Sequence, residues 1–207
     1  MEIELKYGIS SREIADQIWE DEYLASMEER DSRETLHMKA AYFDTEDGAL
    51  SSSDIAFRVR SEGHHTFATV KWGGRNEGAL HTRQEIHVPA PDDTYFIMPD
   101  VSIFKESEIG QELMHLVEGK QLISNVEMNV IRRRFRIDSG DAIVEVSVDN
   151  GEIITSSGTD MICEVELELF SGSEESLMKI SEELKKRYEL VPESRSKYAR
   201  GLALIRK

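Results

Sequence analysis

Seven separate segments of this chain repeat one two-residue period, charged on one side and apolar on the other. Any fold must house both faces, because alternate residues of an extended strand point to opposite sides of the sheet. In "EIELKY" Glu2, Glu4 and Lys6 alternate with Ile3, Leu5 and Tyr7. In "AFRVR" Arg58 and Arg60 oppose Phe57 and Val59, and Lys71 lies between Val70 and Trp72. His81, Arg83, Glu85 and His87 share a face opposite Ile86 and Val88. Arg132, Arg134 and Arg136 alternate with Arg133, Phe135 and Ile137, and Glu145, Ser147 and Asp149 with three valines. In "ICEVELELF" Glu164, Glu166 and Glu168 alternate with Val165, Leu167 and Leu169.

After the N-terminal strand, strand-like segments are expected at about 33–43, 55–62, 65–73, 80–88, 125–137, 141–150 and 160–170, with Gly63-His64, "GGRNEG", "DSGD" and "DNGE" as turns. Helices are expected in "SSREIADQIWEDEYLASMEE", capped by Ser10 with Glu13, in "SEIGQELMHLVEG" and in "SEESLMKISEELKKRYEL". The class is α+β, with eight strands in sequential antiparallel order, a number that suits closure into a small barrel holding one ligand.

Two architectures satisfy the faces. An open sheet could cover its apolar side with helices and leave the charges to solvent. A closed sheet could instead turn the charges inward. The signs are segregated by strand, basic at 58–71 and 132–136 and acidic at 164–168, whereas a solvated face usually mixes them. The pattern alone leaves both architectures open.

With 207 residues, a single domain over 1–207 is the default. No apolar run approaches the roughly 20 residues of a membrane span. The lone Cys163 cannot form an internal disulfide and suits a reducing, cytoplasmic setting. A net charge of −16 argues against nucleic acid or an anionic membrane as partner, but not against a small anion in a locally basic cavity.

The chain resembles the CYTH domain, or triphosphate tunnel metalloenzyme, family along nearly its whole length. "EIELK" matches that family's Glu-x-Glu-x-Lys signature. "YFDT" (Tyr42 to Thr45), "AFRVR", "VKW", "RQE", the basic strand at Arg132 and Arg134, "VEVSVDNGE", "EVELEL" and "SKYARG" follow in the family's order. The subgroup it is most similar to is the bacterial inorganic triphosphatases. Those often carry a second, helical domain, of which this sequence has no counterpart.

The resemblance implies a closed eight-stranded antiparallel tunnel with a charged interior and helices outside, which hydrolyses triphosphate with Mg²⁺ or Mn²⁺. It implies Lys6, Arg58, Arg60, Lys71, Arg83, Arg132, Arg134, Lys197 and Arg200 as triphosphate-binding residues. Glu2, Glu4, Glu164, Glu166 and Glu168 would be the metal ligands, backed by Glu145 and Asp149. Glu4, Lys6, Glu85 and Glu166 would be the catalytic groups, with Glu4, Glu85 and Glu166 as alternative bases. The chemistry agrees: a triphosphate carries about four to five negative charges, which need arginine forks and a hard cation. A monomer or homodimer is expected. Alternative activities are thiamine or nucleoside triphosphate hydrolysis, a class IV-type adenylate cyclase, and non-catalytic polyphosphate binding. Phe57, Trp72 and Phe135 all fall on the apolar side, and Tyr42 reads as packing, so the lumen is expected to lack an aromatic platform for a base. His64 and His65 are expected at a solvated hairpin tip.

Overall fold

The computed structural model describes residues 1–90 and 92–205; the last two positions of the C-terminal segment lie outside them. Eight long strands form its centre: β1 (Glu2–Gly8), β2 (Glu34–Thr45), β3 (Ala56–Glu62), β4 (His65–Glu77), β5 (Leu80–Pro89), β6 (Leu122–Asp138), β7 (Ala142–Thr155) and β8 (Gly158–Gly172). They close into an antiparallel barrel through the pairing of β1 with β5, with Glu2 opposite Arg83 and Leu5 opposite Leu80.

The order around the barrel is β1-β5-β4-β3-β2-β6-β7-β8 and back to β1, not the sequential order expected. The departure occurs at the two long connections. The chain from β1 to β2 passes through helices α1 (Arg12–Trp19) and α2 (Glu22–Ala25). The chain from β5 to β6 passes through two 3-10 turns, Asp93–Phe96 and Val101–Phe104, and helix α4 (Gly110–Val117). Both connections carry the chain over the barrel instead of folding it back as a hairpin. Short turns such as Gly63-His64, with Gly63 at φ 59°, do give neighbouring pairs.

The apolar faces point outward under helices. Leu5, Phe135, Val146, Val165 and Leu167 pack with Ile18, Leu24, Leu177, Ile180 and Leu184 of α1, α2 and α5 (Glu174–Arg187). Phe43, Phe57, Val59 and Val70 pack with Leu50 of α3 (Ala49–Ser52), Phe104 and Leu113. Each such side chain, fully buried, contributes about 1.5–3 kcal/mol. The cap of α1 is Ser11, one residue beyond the expected Ser10: its backbone is extended and its hydroxyl accepts from the Ile14 amide.

The last helix, α6 (Lys197–Ile205), packs against β6, β7 and β8 and brings Lys197 and Tyr198 to the cavity. A Cβ on Gly201 would meet the Val126 and Ile153 methyls at 2.5–3.2 Å, so only glycine lets the helix seat this deeply. A two-residue strand, β9 (Val191–Pro192), pairs with the end of β1 and leads into α6. Among the described residues no helix is long and apolar enough to cross a membrane.

Candidate active site

The closed register gathers the charged faces around one cavity of about 550 Å³ inside the barrel. Fifteen of the seventeen residues expected at the site line it: Glu2, Glu4, Lys6, Arg58, Arg60, Lys71, Arg83, Glu85, Arg132, Arg134, Glu145, Asp149, Glu166, Glu168 and Lys197. Glu164 and Arg200 do not. Arg200 is buried beside the lumen, where its guanidinium donates to Glu164, Asp160 and the Met161 carbonyl. That placement ties α6 to β8 and leaves Arg200 no free fork, so it does not match the expected role as a triphosphate grip.

The acidic wall exists because β1 and β8 are neighbours, with Glu4 opposite Glu168 and Lys6 opposite Glu166. It divides into two unlike groups. Glu166 and Asp149 are saturated: Arg132 reaches both at 2.5–2.7 Å, Lys197 reaches both at 2.7–2.9 Å, and Lys6 lies 3.4 Å from Glu166. Burial opposes ionisation of both carboxyls, but for Glu166 the charges of Lys197, Lys6 and Arg132 outweigh it, and for Asp149 those of Arg132 and Lys197, so both are held below the usual carboxylate range. Glu164 is likewise paired, with Lys197 at 2.8 Å and with Arg200. The structure therefore shows Glu164 and Glu166 as partners of fixed cations.

Glu2, Glu4 and Glu168 form the other group. Lys71 holds Glu2 at 2.7 Å and Lys6 holds Glu4 at 2.9 Å, while Glu168 has no cation within ion-pair distance among the described residues. Burial, then Glu2 and Glu4, push Glu168 up to about 7. Burial also raises Glu2 despite Lys71. Hard carboxylate oxygens, with Glu168 uncompensated, are the kind of donor that a Mg²⁺-like cation takes. As they stand, no three His, Cys, Asp or Glu side chains among the described residues converge closely enough to enclose a metal ion.

This uncompensated charge predicts a stability effect. The folded-state pKa of Glu168 lies above its unfolded value, so wild-type stability falls as pH rises from about 4.5 through about 7. Glu168→Gln removes that dependence. Without metal, the variant is expected to melt a few degrees above wild type at pH 8 and level with it at pH 5. Calorimetry that finds no gain at pH 8 would refute the reading of this wall as charge-strained.

The basic wall is carried mainly by β3 and β6, which flank β2. Ala40 of β2 sits opposite both Arg60 and Met128, so a small residue leaves room for the arginine beside it. The Nε–H groups of Arg58 and Arg60 are buried without an acceptor. Burial and then Arg58 bring Arg60 down to about 10, although Glu62 pairs with it. Buried donors normally find acceptors, and these two point to an anion that completes them. Lys71 bridges Glu2 and Glu85, each at 2.7 Å; burial would raise Glu85, but Lys71 and then Arg58 bring it to about 2. Arg134 grips Glu34 at 2.9–3.0 Å and lies 3.6 Å from Glu145.

Several lining residues were not expected at the site. Arg136 shares the face of Arg132 and Arg134, and its guanidinium stands 4.1 Å over the Phe170 ring. Tyr42 lines the cavity, stacked on Tyr198 of α6 at 4.6 Å with Arg58 nearby, so the lumen does contain aromatic rings. No strand periodicity could have placed Tyr198, which arrives on helix α6. His81 approaches the Glu193 carbonyl at 2.7 Å and His87 the Thr69 hydroxyl at 3.1 Å; burial lowers both. His64 and His65 lie exposed at the β3–β4 turn, as expected.

Of the charged lining residues nine are basic and eight acidic, so the empty lumen is nearly neutral.

Comparison with known proteins gives the family and the fold. An inorganic triphosphatase of Haemophilus influenzae is 28% identical over 98% of the chain, which spans about half (54%) of that relative's length. Two solved structures share the fold. One is a candidate adenylyl cyclase of Hippeastrum described as having a dominant triphosphatase activity, with a TM-score of 0.72 at 18% identity, covering 98% of this chain and 96% of that one. The other is a candidate adenylate cyclase of Bacillus halodurans, with a TM-score of 0.55 at 19% identity, covering 95% and 94%. The CYTH domain family matches residues 1–202, and the chain belongs to it.

Proposed function

We propose that the chain is a metal-dependent triphosphatase that hydrolyses inorganic triphosphate to pyrophosphate and orthophosphate. One observation carries this reading: the acceptor-less Nε–H groups of Arg58 and Arg60 share a lumen with the Glu2–Glu4–Glu168 wall, where Glu168 has no cation partner among the described residues. Arg58, Arg60 and Arg132 grip phosphoryl oxygens through planar forks, while Lys6 and Lys71 act as point charges between substrate and carboxylates. Glu2, Glu4 and Glu168 would hold the divalent cation, which would neutralise phosphoryl oxygens and lower the pKa of a bound water. The cationic wall stabilises charge on the departing pyrophosphate. Glu85 and Glu166 make poor bases, since their own cations hold both well below neutral pH.

The Tyr42 ring is already engaged by Tyr198 and Arg58, and it offers a nucleobase no free stack. Tripolyphosphate should therefore exceed ATP in kcat/KM by at least about tenfold, or about 1.4 kcal/mol. Phosphate release from tripolyphosphate, ATP and thiamine triphosphate with Mg²⁺, and cyclic AMP measured alongside, tests the reading. Preference for ATP, cyclic AMP as main product, or binding without phosphate release would each overturn it.

A further inference from the structure

Strand β4 carries an irregularity whose place in the site is visible only in register. Lys71 pairs with Glu85 and Trp72 with Gln84, but the next pair is Arg75 with Thr82. Two residues, Gly73 and Gly74, thus stand opposite Arg83 alone, which makes a β-bulge. Gly73 supplies the turn with φ 61°, a conformation other residues rarely adopt.

Gly74 is a different case. Its own φ lies outside the left-handed region, so its backbone would accept a side chain. What forbids one is Arg83: a Cβ on Gly74 would lie 2.9 Å from Arg83 Nε, 3.2 Å from Cζ and 3.3 Å from Nη2. The guanidinium rests on the bare α-carbon. The bulge is pinned from the other side, where the Gly74 amide donates to Asp54 Oδ2 at 3.0 Å. Asp54 itself holds φ 55°, a left-handed conformation that aspartate adopts more readily than most residues. Arg83 has no ion pair or side-chain hydrogen bond among the described residues, although it lines the cavity opposite Glu2. Its orientation is set by packing on backbone, which leaves its donors unspent.

We propose that Gly74, held by Asp54, is a positioning residue that aims the Arg83 guanidinium at a phosphoryl oxygen beside the Glu2 carboxylate. The inference rests on the reading of the lumen as a triphosphate site. It adds a role for two residues outside the lumen's charged set.

Gly74→Ala tests it, because only the far end of a flexible side chain must move to admit the methyl. The variant should keep the wild-type melting temperature while KM for tripolyphosphate rises about tenfold and kcat changes less than about twofold. The effect should vanish in an Arg83→Ala background, since a residue that acts through Arg83 has nothing left to position. Equal KM penalties in both backgrounds would overturn the proposal. An NMR readout separates this from failure of the triphosphatase reading. The Arg83 Nε–H resonance, identified by its loss in Arg83→Ala, should shift in Gly74→Ala even without any substrate. An unmoved resonance refutes the contact, and a shifted resonance with an unchanged KM refutes the positioning role.

Discussion

Stripping divalent metal from the protein is expected to lower tripolyphosphate hydrolysis by at least about a thousandfold, and added Mg²⁺ or Mn²⁺ should restore it. The magnitude follows from the lumen's charge. With nine basic and eight acidic lining groups, a bare triphosphate would meet almost no net attraction, and Glu2, Glu4 and Glu168 would face it directly. A loss of about 4 kcal/mol of transition-state stabilisation, the thousandfold figure, is modest for removing a divalent charge from a confined site. Glu4→Gln should reproduce part of the loss, chiefly in kcat, and excess metal should partly rescue it. Lys6, freed from Glu4, would still be held by Glu166 at 3.4 Å, so the variant should remain folded. Full turnover in excess chelator, with metal-free protein verified by elemental analysis, would end the metal assignment.

The second large effect is expected at Arg60. Arg60→Leu should raise KM for tripolyphosphate about a hundredfold, because charge-assisted bonds to a buried fork contribute about 1.5–3 kcal/mol. Without ligand the same substitution should leave the protein no less stable. Arg60 is a buried cation beside Arg58, its Nε–H lacks an acceptor, and burial with like charge brings it to about 10. That strain costs on the order of 1–3 kcal/mol, tempered by its pairing with Glu62. The group is charged in both folded and unfolded states below about pH 10, so the stability difference between variant and wild type should stay flat from pH 5 to 8. Glu168→Gln should differ by gaining across that range. Loss of activity with a collapsed melting temperature would show Arg60 to be structural; native kinetics would remove it from the site.

Much of the site was legible because a strand's period is local. Glu2, Glu4 and Lys6 share a face whatever β1 pairs with, and so do Arg58 with Arg60 and Arg132 with Arg134. The resemblance to the CYTH family implied the closed barrel and the site set, of which fifteen residues line the cavity. Neighbour relations across strands were not legible, since they depend on which distant segments meet. The long connections decide that β1 lies between β5 and β8, and this places Glu4 beside Glu168 and Lys6 beside Glu166.

The five glutamates expected to ligate metal look alike as residues. What separates them is how many fixed cations each meets: Glu164 and Glu166 meet Lys197, brought in by α6, and Glu168 meets none among the described residues. Tyr198 and Arg200 ride on that same helix, one into the lumen against Tyr42 and one away from it into Glu164. The sequence by itself determined which side chains share a face, because alternation is built into an extended backbone, and the family resemblance turned the charged face inward. Only the tertiary structure decided which of those charges are already neutralised and which remain to be satisfied by a ligand, because electrostatic compensation is a matter of distances between groups far apart in the chain.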